Sequence, residues 1–490
     1  MKVGNMSTQN SMKDVYLQHD ALGLAALVKR GDVSAAELME VAIQIVDELN
    51  PTLNAVSQRC YDDARERAQA PIGEGVFAGV PFLLKDLATT ASGLQSTNSS
   101  RYYRLHSTAP ASDNEAVRRM RTAGLIPFGF TNVPENGWSL TTEPKLNGPT
   151  RNPWNTALTA GGSSGGAGSA VASGMVPLAE GSDGAGSIRM PAAMCGTVGL
   201  KPSRGRASIA PAADFWHGGA VFLCLSRTTR DTAAFLDVVS GGTPGEPYAL
   251  PKPATSYLSV LETPPARLRC GFSVRSPEGS AVDPEIARAV HSVAAELGTL
   301  GHHVEPHDMR FDIQGCWQAY TRILAVQAAL QFEESTKLLG VAPTPETLEP
   351  YTWSAIEMGK RVDAVGHARD IDAMRHGGMA IAASLDAFDV FVSPVMRRLP
   401  FPIGSAFDMS VGDWQAYNDA FLKDTAFLFP FNVGGQPSIS LPLGISADGL
   451  PIGVQLTAKV GNEAVLLQIA SLLEKSMPWA AKRPLVFAHN

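Results

Sequence analysis

No stretch of this sequence approaches the roughly eighteen consecutive apolar residues that cross a bilayer. The opening run, Met1 to Met6, has no apolar core of the kind secretory signals carry, so a cytoplasmic protein is expected, with residues 1–12 as a flexible tail. Cysteine is scarce: Cys60, Cys195, Cys224, Cys270 and Cys316 are scattered and never spaced C-x-x-C. That excludes a disulfide framework and a thiolate zinc site, and fits reduced thiols. Charge is sparse as well. Asp, Glu, Lys and Arg make up 18% of the residues and the net charge is −7, which gives neither nucleic acid nor an anionic membrane surface anything to bind. There is no P-loop and no complete G-x-G-x-x-G, so nucleotide binding has no support and no cofactor is expected. Repeats, charge runs and clear linkers are missing too. One large domain is expected over residues 13–490, with residues 310–425 as a cap over a substrate site.

What is present is an apolar content of 44%, enough for a large core, and an alternation of strand-like and helix-like segments. Ser34-Ala35-Ala36-Glu37 is a capping box, and Leu38, Val41, Ala42, Ile45 and Leu49 follow at helical spacing; Asn50-Pro51 should end that helix. Asn54 to Val56 reads as a short strand, and Phe77 to Leu84 as a buried strand with Lys85 at its carboxyl end. Asp283-Pro284 opens a helix between two strands, at 267–274 and 302–305, which makes a βαβ unit. Near the C-terminus, segments 436–444 and 452–456 pair across an Asp448-Gly449 turn. The class is α/β.

One stretch does not fit an ordinary core. From Gly161 to Gly174 only Val171 is anything but Gly, Ala or Ser, and a second cluster, Gly181-Ser182-Asp183-Gly184-Ala185-Gly186-Ser187-Ile188-Arg189, follows. A serine among glycines is usually a loop residue. Here consecutive N–H groups without side-chain cover form an anion-binding nest beside Ser187, which is what a nucleophile in acyl transfer needs. Lys85 by itself reads as a strand-end lysine reaching solvent beside Asp86. If buried, its ammonium form is disfavoured and it becomes a base.

The Gly161-Gly162-Ser163-Ser164-Gly165-Gly166 block resembles the signature of the amidase signature family. So do the Asp183-x-x-Gly186-Ser187-Ile188-Arg189 block and Gly79-Val80-Pro81-Phe82-Leu83-Leu84-Lys85-Asp86. The resemblance continues through Thr131 to Glu135, Arg151 to Asn155 and Asn432 to Gln455, so it spans nearly the whole chain. It implies one mixed central sheet wrapped in helices, and a Ser-cisSer-Lys triad of Ser187, Ser163 and Lys85. Backbone N–H groups of Gly184, Ala185, Gly186 and Ser187 would form the oxyanion hole, with Ala185 standing where many members have Gly. Ser164 and Asp183 would support the triad from behind, Asp183 and Arg189 by fixing the loop. No metal or cofactor is implied.

The implied reaction is hydrolysis of a small non-peptide amide through a Ser187 acyl-enzyme, most like the branch of cyclic-dimer nylon-oligomer hydrolases. Carbamates and aryl acylamides are alternative substrates. Two other readings compete: the glutaminase subunit of a tRNA-dependent amidotransferase, and a non-catalytic binding protein on the same fold. Gly162-Ser163-Ser164-Gly165-Gly166 also satisfies G-x-S-x-G, which would make Ser164 the nucleophile if one of His302, His303, His307, His367 or His376 reached it. The expected partner is a small-molecule amide, and self-association as a homodimer is the one assembly considered. Cys195 reads as a small packing residue. The late aromatics Trp317, Tyr320, Tyr351, Trp353, Trp414, Tyr417 and Phe421 read as core, with some lining a substrate funnel.

Overall fold

The computed structural model describes residues 5–488, with side chains from residue 12 onward. Residues 1–4 of the expected tail lie outside the described residues, and from Asn5 the chain is a helix to Gln18. Strands in chain order are β1 (Val56–Arg59), β2 (Val80–Lys85), β3 (Leu125–Thr131), β4 (Arg151–Asn152), β5 (Asn155–Thr159), β6 (Leu178–Asp183) and β7 (Val198–Lys201). They continue as β8 (Val221–Ser226), β9 (Arg269–Phe272), β10 (His303–Pro306), β11 (Val390–Pro394), β12 (Ser438–Ile445) and β13 (Pro451–Ala458). All but β4 and β5 join one mixed sheet in the order β1-β3-β2-β6-β8-β7-β12-β13-β11-β9-β10.

The parallel pairs sit towards the two flanks. β2 lies between β3 and β6 and is parallel to both, and β9 lies between β11 and β10 and is parallel to both. The helix Pro284–Thr299, capped by Asp283, links β9 to β10 as the βαβ reading requires. Antiparallel pairs fill the centre, including the β12–β13 hairpin, whose turn uses Gly449 at φ +78°. β2, β3 and β13 are buried along their whole length, which is why they read as apolar runs.

One expectation fails locally. The helix capped by Ser34 runs past Asn50-Pro51 to Leu53. Pro51 falls in the last turn at the cost of one i→i−4 hydrogen bond, the one its N–H would have made to the Asp47 carbonyl, and the stop comes from Asn54 in the left-handed region (φ 49°). The Asn50 side chain then brackets Val56, accepting from its N–H (2.8 Å) and donating to its carbonyl (2.9 Å). The following strand therefore starts at Val56.

Two large apolar bodies result among the described residues. One packs helices on both faces of the sheet. The other is built on the helices Ile313–Leu339, Pro350–Arg361, Ala364–Leu385 and Trp414–Thr425, together with Trp138, Ala185, Leu428 and Phe429. It contains all seven late aromatics, Trp353 and Phe421 only partly buried. Phe391 of β11 also belongs to it, so residues 310–425 contribute to the sheet as well as to these helices.

Candidate active site

β2 delivers Lys85 into the interior, where it is 1% exposed. Asp86 is buried as well but turns to another loop: its carboxylate accepts from the Thr97 N–H (2.6 Å) and from the hydroxyls of Ser96 (2.8 Å) and Thr97 (2.6 Å). Lys85 Nζ has three oxygen neighbours, Ser163 Oγ at 2.8 Å, Ser182 Oγ at 2.8 Å and the Ser182 carbonyl at 3.3 Å. Burial pushes this amine down to about 7, against the pull of Glu180 and Asp183, which favour the charged form. A neutral amine has two N–H bonds and one lone pair. A neutral amine that gave both N–H bonds to Ser182 would keep its lone pair for Ser163. Those three contacts therefore suit a base.

Glu180 on β6 is the buried carboxylate beside this lysine. Its Oε2 accepts from the Lys85 backbone N–H (2.9 Å) and the Thr89 hydroxyl (3.0 Å). Burial raises it to about 7, and those two hydrogen bonds and Lys85 pull the other way. No local pattern marked Glu180 or Ser182, both of which lie within the glycine-rich stretch.

The Gly162–Ser163 peptide is cis. Its loop is held from outside by Thr142, whose hydroxyl donates to the Gly161 carbonyl (2.9 Å) and accepts from the Gly165 N–H (3.2 Å). A side chain at Gly162 would run into the backbone of Ser139 to Thr141 at 2.8–2.9 Å, so glycine is required there. Ser164 is fully buried and its hydroxyl meets the Ser182 backbone, at 3.3 Å to the carbonyl and 3.4 Å from the N–H. The histidines named above bond elsewhere or not at all, and none reaches Ser164; His307, for one, contacts the Ser384 carbonyl at 2.7 Å. The nucleophile-elbow arrangement is not built.

Ser187 is half-buried and tied to the loop of the Gly162–Ser163 peptide through the backbone, its carbonyl accepting from the Ser164 N–H at 3.2 Å. Among the described residues its hydroxyl makes no hydrogen bond, so Ser163 and Ser187 are neighbours without a direct bond. Of the four N–H groups expected to hold an oxyanion, that of Gly186 donates to Asp183 Oδ1 at 2.8 Å. Those of Ala185 and Ser187 make no hydrogen bond among the described residues. Gly184 backs onto the Trp216 ring, and Gly186 takes φ +121° against Leu428; neither position admits a side chain. Ala185 lies between them with ordinary backbone, and its methyl joins the second apolar body.

Asp183 and Arg189 are the anchor of this loop, paired at 2.9 Å with both side chains fully buried. Burial would raise the Asp183 carboxyl, but the Arg189 guanidinium outweighs it and holds the group well below the usual carboxylate range. Arg189 also donates to the Leu428 carbonyl (3.0 Å), Gln455 Oε1 (2.9 Å) and Asn432 Oδ1 (2.6 Å). Asn432 in turn donates to Asp183 and to the Gly219 carbonyl (3.0 Å). The C-terminal segment therefore closes on the serine loop. Cys195 is buried, its thiol against the Ala160 carbonyl at 3.4 Å and pushed up by burial, as a packing residue should be.

The aromatic wall is Trp216 stacked on Trp138 (5.7 Å between centroids), with Trp216 over Gly184. Among the described residues no group of three or more His, Cys, Asp or Glu is placed to hold a metal ion, and no helix is long and apolar enough to cross a membrane.

The amidase family model matches residues 37–467. A 6-aminohexanoate-cyclic-dimer hydrolase of Paenarthrobacter ureafaciens is 40% identical over 486 residues, 96% of this chain and 98% of that protein. A solved structure of 6-aminohexanoate cyclic dimer hydrolase superposes with a TM-score of 0.91 at 38% identity, covering 96% of this chain and 99% of the other. A bacterial aryl acylamidase of the amidase signature family superposes at 0.83 and 27% identity, covering 95% and 99%.

Proposed function

This chain belongs to the amidase family and is a hydrolase of carbon–nitrogen bonds other than peptide bonds; from that premise we propose that it cleaves small cyclic or aryl amides through an acyl-enzyme on Ser187. The observation that carries the mechanism is Lys85, buried, its ammonium pushed down to about 7 by that burial, and 2.8 Å from Ser163 Oγ. Neutral Lys85 takes the Ser163 proton as Ser163 takes that of Ser187, and Ser187 Oγ attacks the amide carbonyl. The Ser163–Ser187 contact tightens when substrate seats, as catalytic hydrogen bonds often do. The N–H groups of Ala185 and Ser187 receive the oxyanion. Ser163 then passes a proton to the leaving nitrogen, the C–N bond breaks, and the amine departs. Water, deprotonated by the same relay, hydrolyses the ester and releases the carboxylic acid.

The substrate class rests on the relatives, which act on a cyclic amide dimer and on aryl acylamides, and on the Trp138–Trp216 wall beside the serine loop. The helices of residues 310–425 share one apolar body with Trp138, and Trp216 packs against it. All five cysteines are free thiols, which suits the cytoplasm. Purified protein, assayed alone against anilides, cyclic amides, aliphatic amides, carbamates and esters, should turn over cyclic or aryl amides. Turnover confined to free glutamine, with partner subunits co-purifying, would instead support the amidotransferase subunit.

A further inference from the structure

The Tyr320 hydroxyl, on the cap helix Ile313–Leu339, donates to the Gly184 carbonyl. That carbonyl and the Ala185 N–H are opposite ends of one peptide unit, and peptide planarity makes them point opposite ways. Whatever holds the carbonyl fixes where the N–H is aimed. We propose that Tyr320 is a positioning residue for the oxyanion hole, locking the Gly184–Ala185 peptide so that the Ala185 N–H faces the carbonyl attacked by Ser187. This rests on the Ser187 reading above.

Three features make the tether rigid. Tyr320 is fully buried, stacked on Phe429 and tilted against Trp317. Gly219 lies behind its hydroxyl, so close that a Cβ there would fall 2.6 Å away, and Asn432 pins the Gly219 carbonyl. Burial raises the phenol far above its usual range, with Asp183 adding to the shift, so it stays a donor throughout the working pH range. Without the hydroxyl the peptide needs another restraint. Gly184 supplies none, having no side chain, and its neighbour Ala185 has only a methyl. The cap helix thereby reports its seating directly to the catalytic loop: a cap displaced from the sheet takes the tether with it.

Tyr320→Phe tests this with a p-nitroanilide and a p-nitrophenyl ester of the same acyl group, because both pass through an oxyanion. Loss of a whole oxyanion donor lowers kcat by about 10²–10³-fold. Loosening one should lower kcat at least about tenfold, by the same factor on both substrates, with KM within about twofold. Affinity for a trifluoromethyl ketone of that acyl group should fall by the same factor as kcat/KM. Unchanged kcat, a rise in KM alone, or loss on the anilide only would overturn the proposal. If the Phe variant does not fold, 3,5-difluorotyrosine at position 320 keeps ring and hydroxyl while altering donor strength. It should then change kcat equally on both substrates, and an unaltered kcat would overturn the idea. Ser187→Ala is run beside it. Turnover by that variant would refute the serine mechanism itself, whereas an inactive Ser187→Ala with a normal Tyr320→Phe refutes only the tether.

Discussion

Lys85 Nζ and Ser163 Oγ stand 2.8 Å apart with both residues buried, although 78 residues separate them in the chain. β2 supplies one and the glycine-rich loop before the helix Gly165–Ala172 supplies the other. The contact makes the lysine useful only when it has lost its proton, and burial brings that to about pH 7.

Activity on an amide should therefore rise with pH through about 7 as Lys85 becomes neutral, and reach a plateau above. Lys85→Ala should lose that limb. It should also hurt an anilide more than a nitrophenyl ester of the same acyl group, since an amine leaves only when protonated and a nitrophenolate does not need to be. Rate profiles from pH 5 to 10 on both substrates check this. Equal losses on both would confine Lys85 to activating the nucleophile.

Ser163→Ala should fold normally, because a methyl group fills nearly the volume of the hydroxymethyl it replaces. Activity should fall by roughly 10²–10⁴-fold, the range for lost acid–base catalysis. Circular dichroism and steady-state rates decide it, and near-wild-type anilide hydrolysis would remove Ser163 from the mechanism.

A buried lysine with a lowered pKa weakens the fold, and the sign can be worked through. Below about pH 7 Lys85 is charged in both folded and unfolded chains, and the folded state bears the full penalty of a buried ammonium. Between about 7 and the unfolded value near 10.4 the folded protein binds fewer protons than the unfolded one, so the penalty fades as pH rises. Lys85→Met should accordingly raise Tm most at pH 6 and least near pH 10. A gain independent of pH would show that packing, not charge, is responsible.

Asp183→Ala strands a fully buried guanidinium, and removing one partner of such a pair costs about 3–5 kcal/mol. The depressed Asp183 carboxyl lends stability that is present at neutral pH and is lost as pH falls below its unfolded value near 3.9. Urea denaturation should show the wild-type advantage at pH 7 and its decline under acid conditions. An equal midpoint for mutant and wild type would mean that the pair holds nothing together.

How legible was this in the sequence? The helices starting at Ala35 and Pro284 announced themselves through Ser34 and Asp283, because capping is chemistry between near neighbours in the chain. Buried strands such as β2 stood out as apolar runs, and the β12–β13 hairpin as a Gly449 turn. Lys85, Ser163 and Ser187 were recognisable from motif blocks, and the structure brings Lys85 to Ser163 and the Ser187 backbone to Ser164. The supporting contacts left no such trace. Arg189 bonds Asn432 and Gln455 across 243 and 266 residues, and Tyr320 reaches Gly184 across 136. No periodicity encodes those pairings; the packing of the helix Ile313–Leu339 and of the C-terminal segment against the serine loop creates them. Glu180 was hidden differently, since a carboxylate in a strand reads as a solvent-facing residue until burial on both faces is known. Pro51 misled because the helix accepts the loss of one hydrogen bond there and ends only where Asn54 turns left-handed.

The central claim is that Ser187 forms the acyl-enzyme, and the most direct measurement is active-site labelling read by mass spectrometry. A fluorophosphonate should add once to the intact protein, and peptide mapping should place the adduct on Ser187. Ser187→Ala should abolish both the adduct and amide turnover. An adduct on Ser164 with Ser187 unmodified, or continued turnover by Ser187→Ala, would contradict the account.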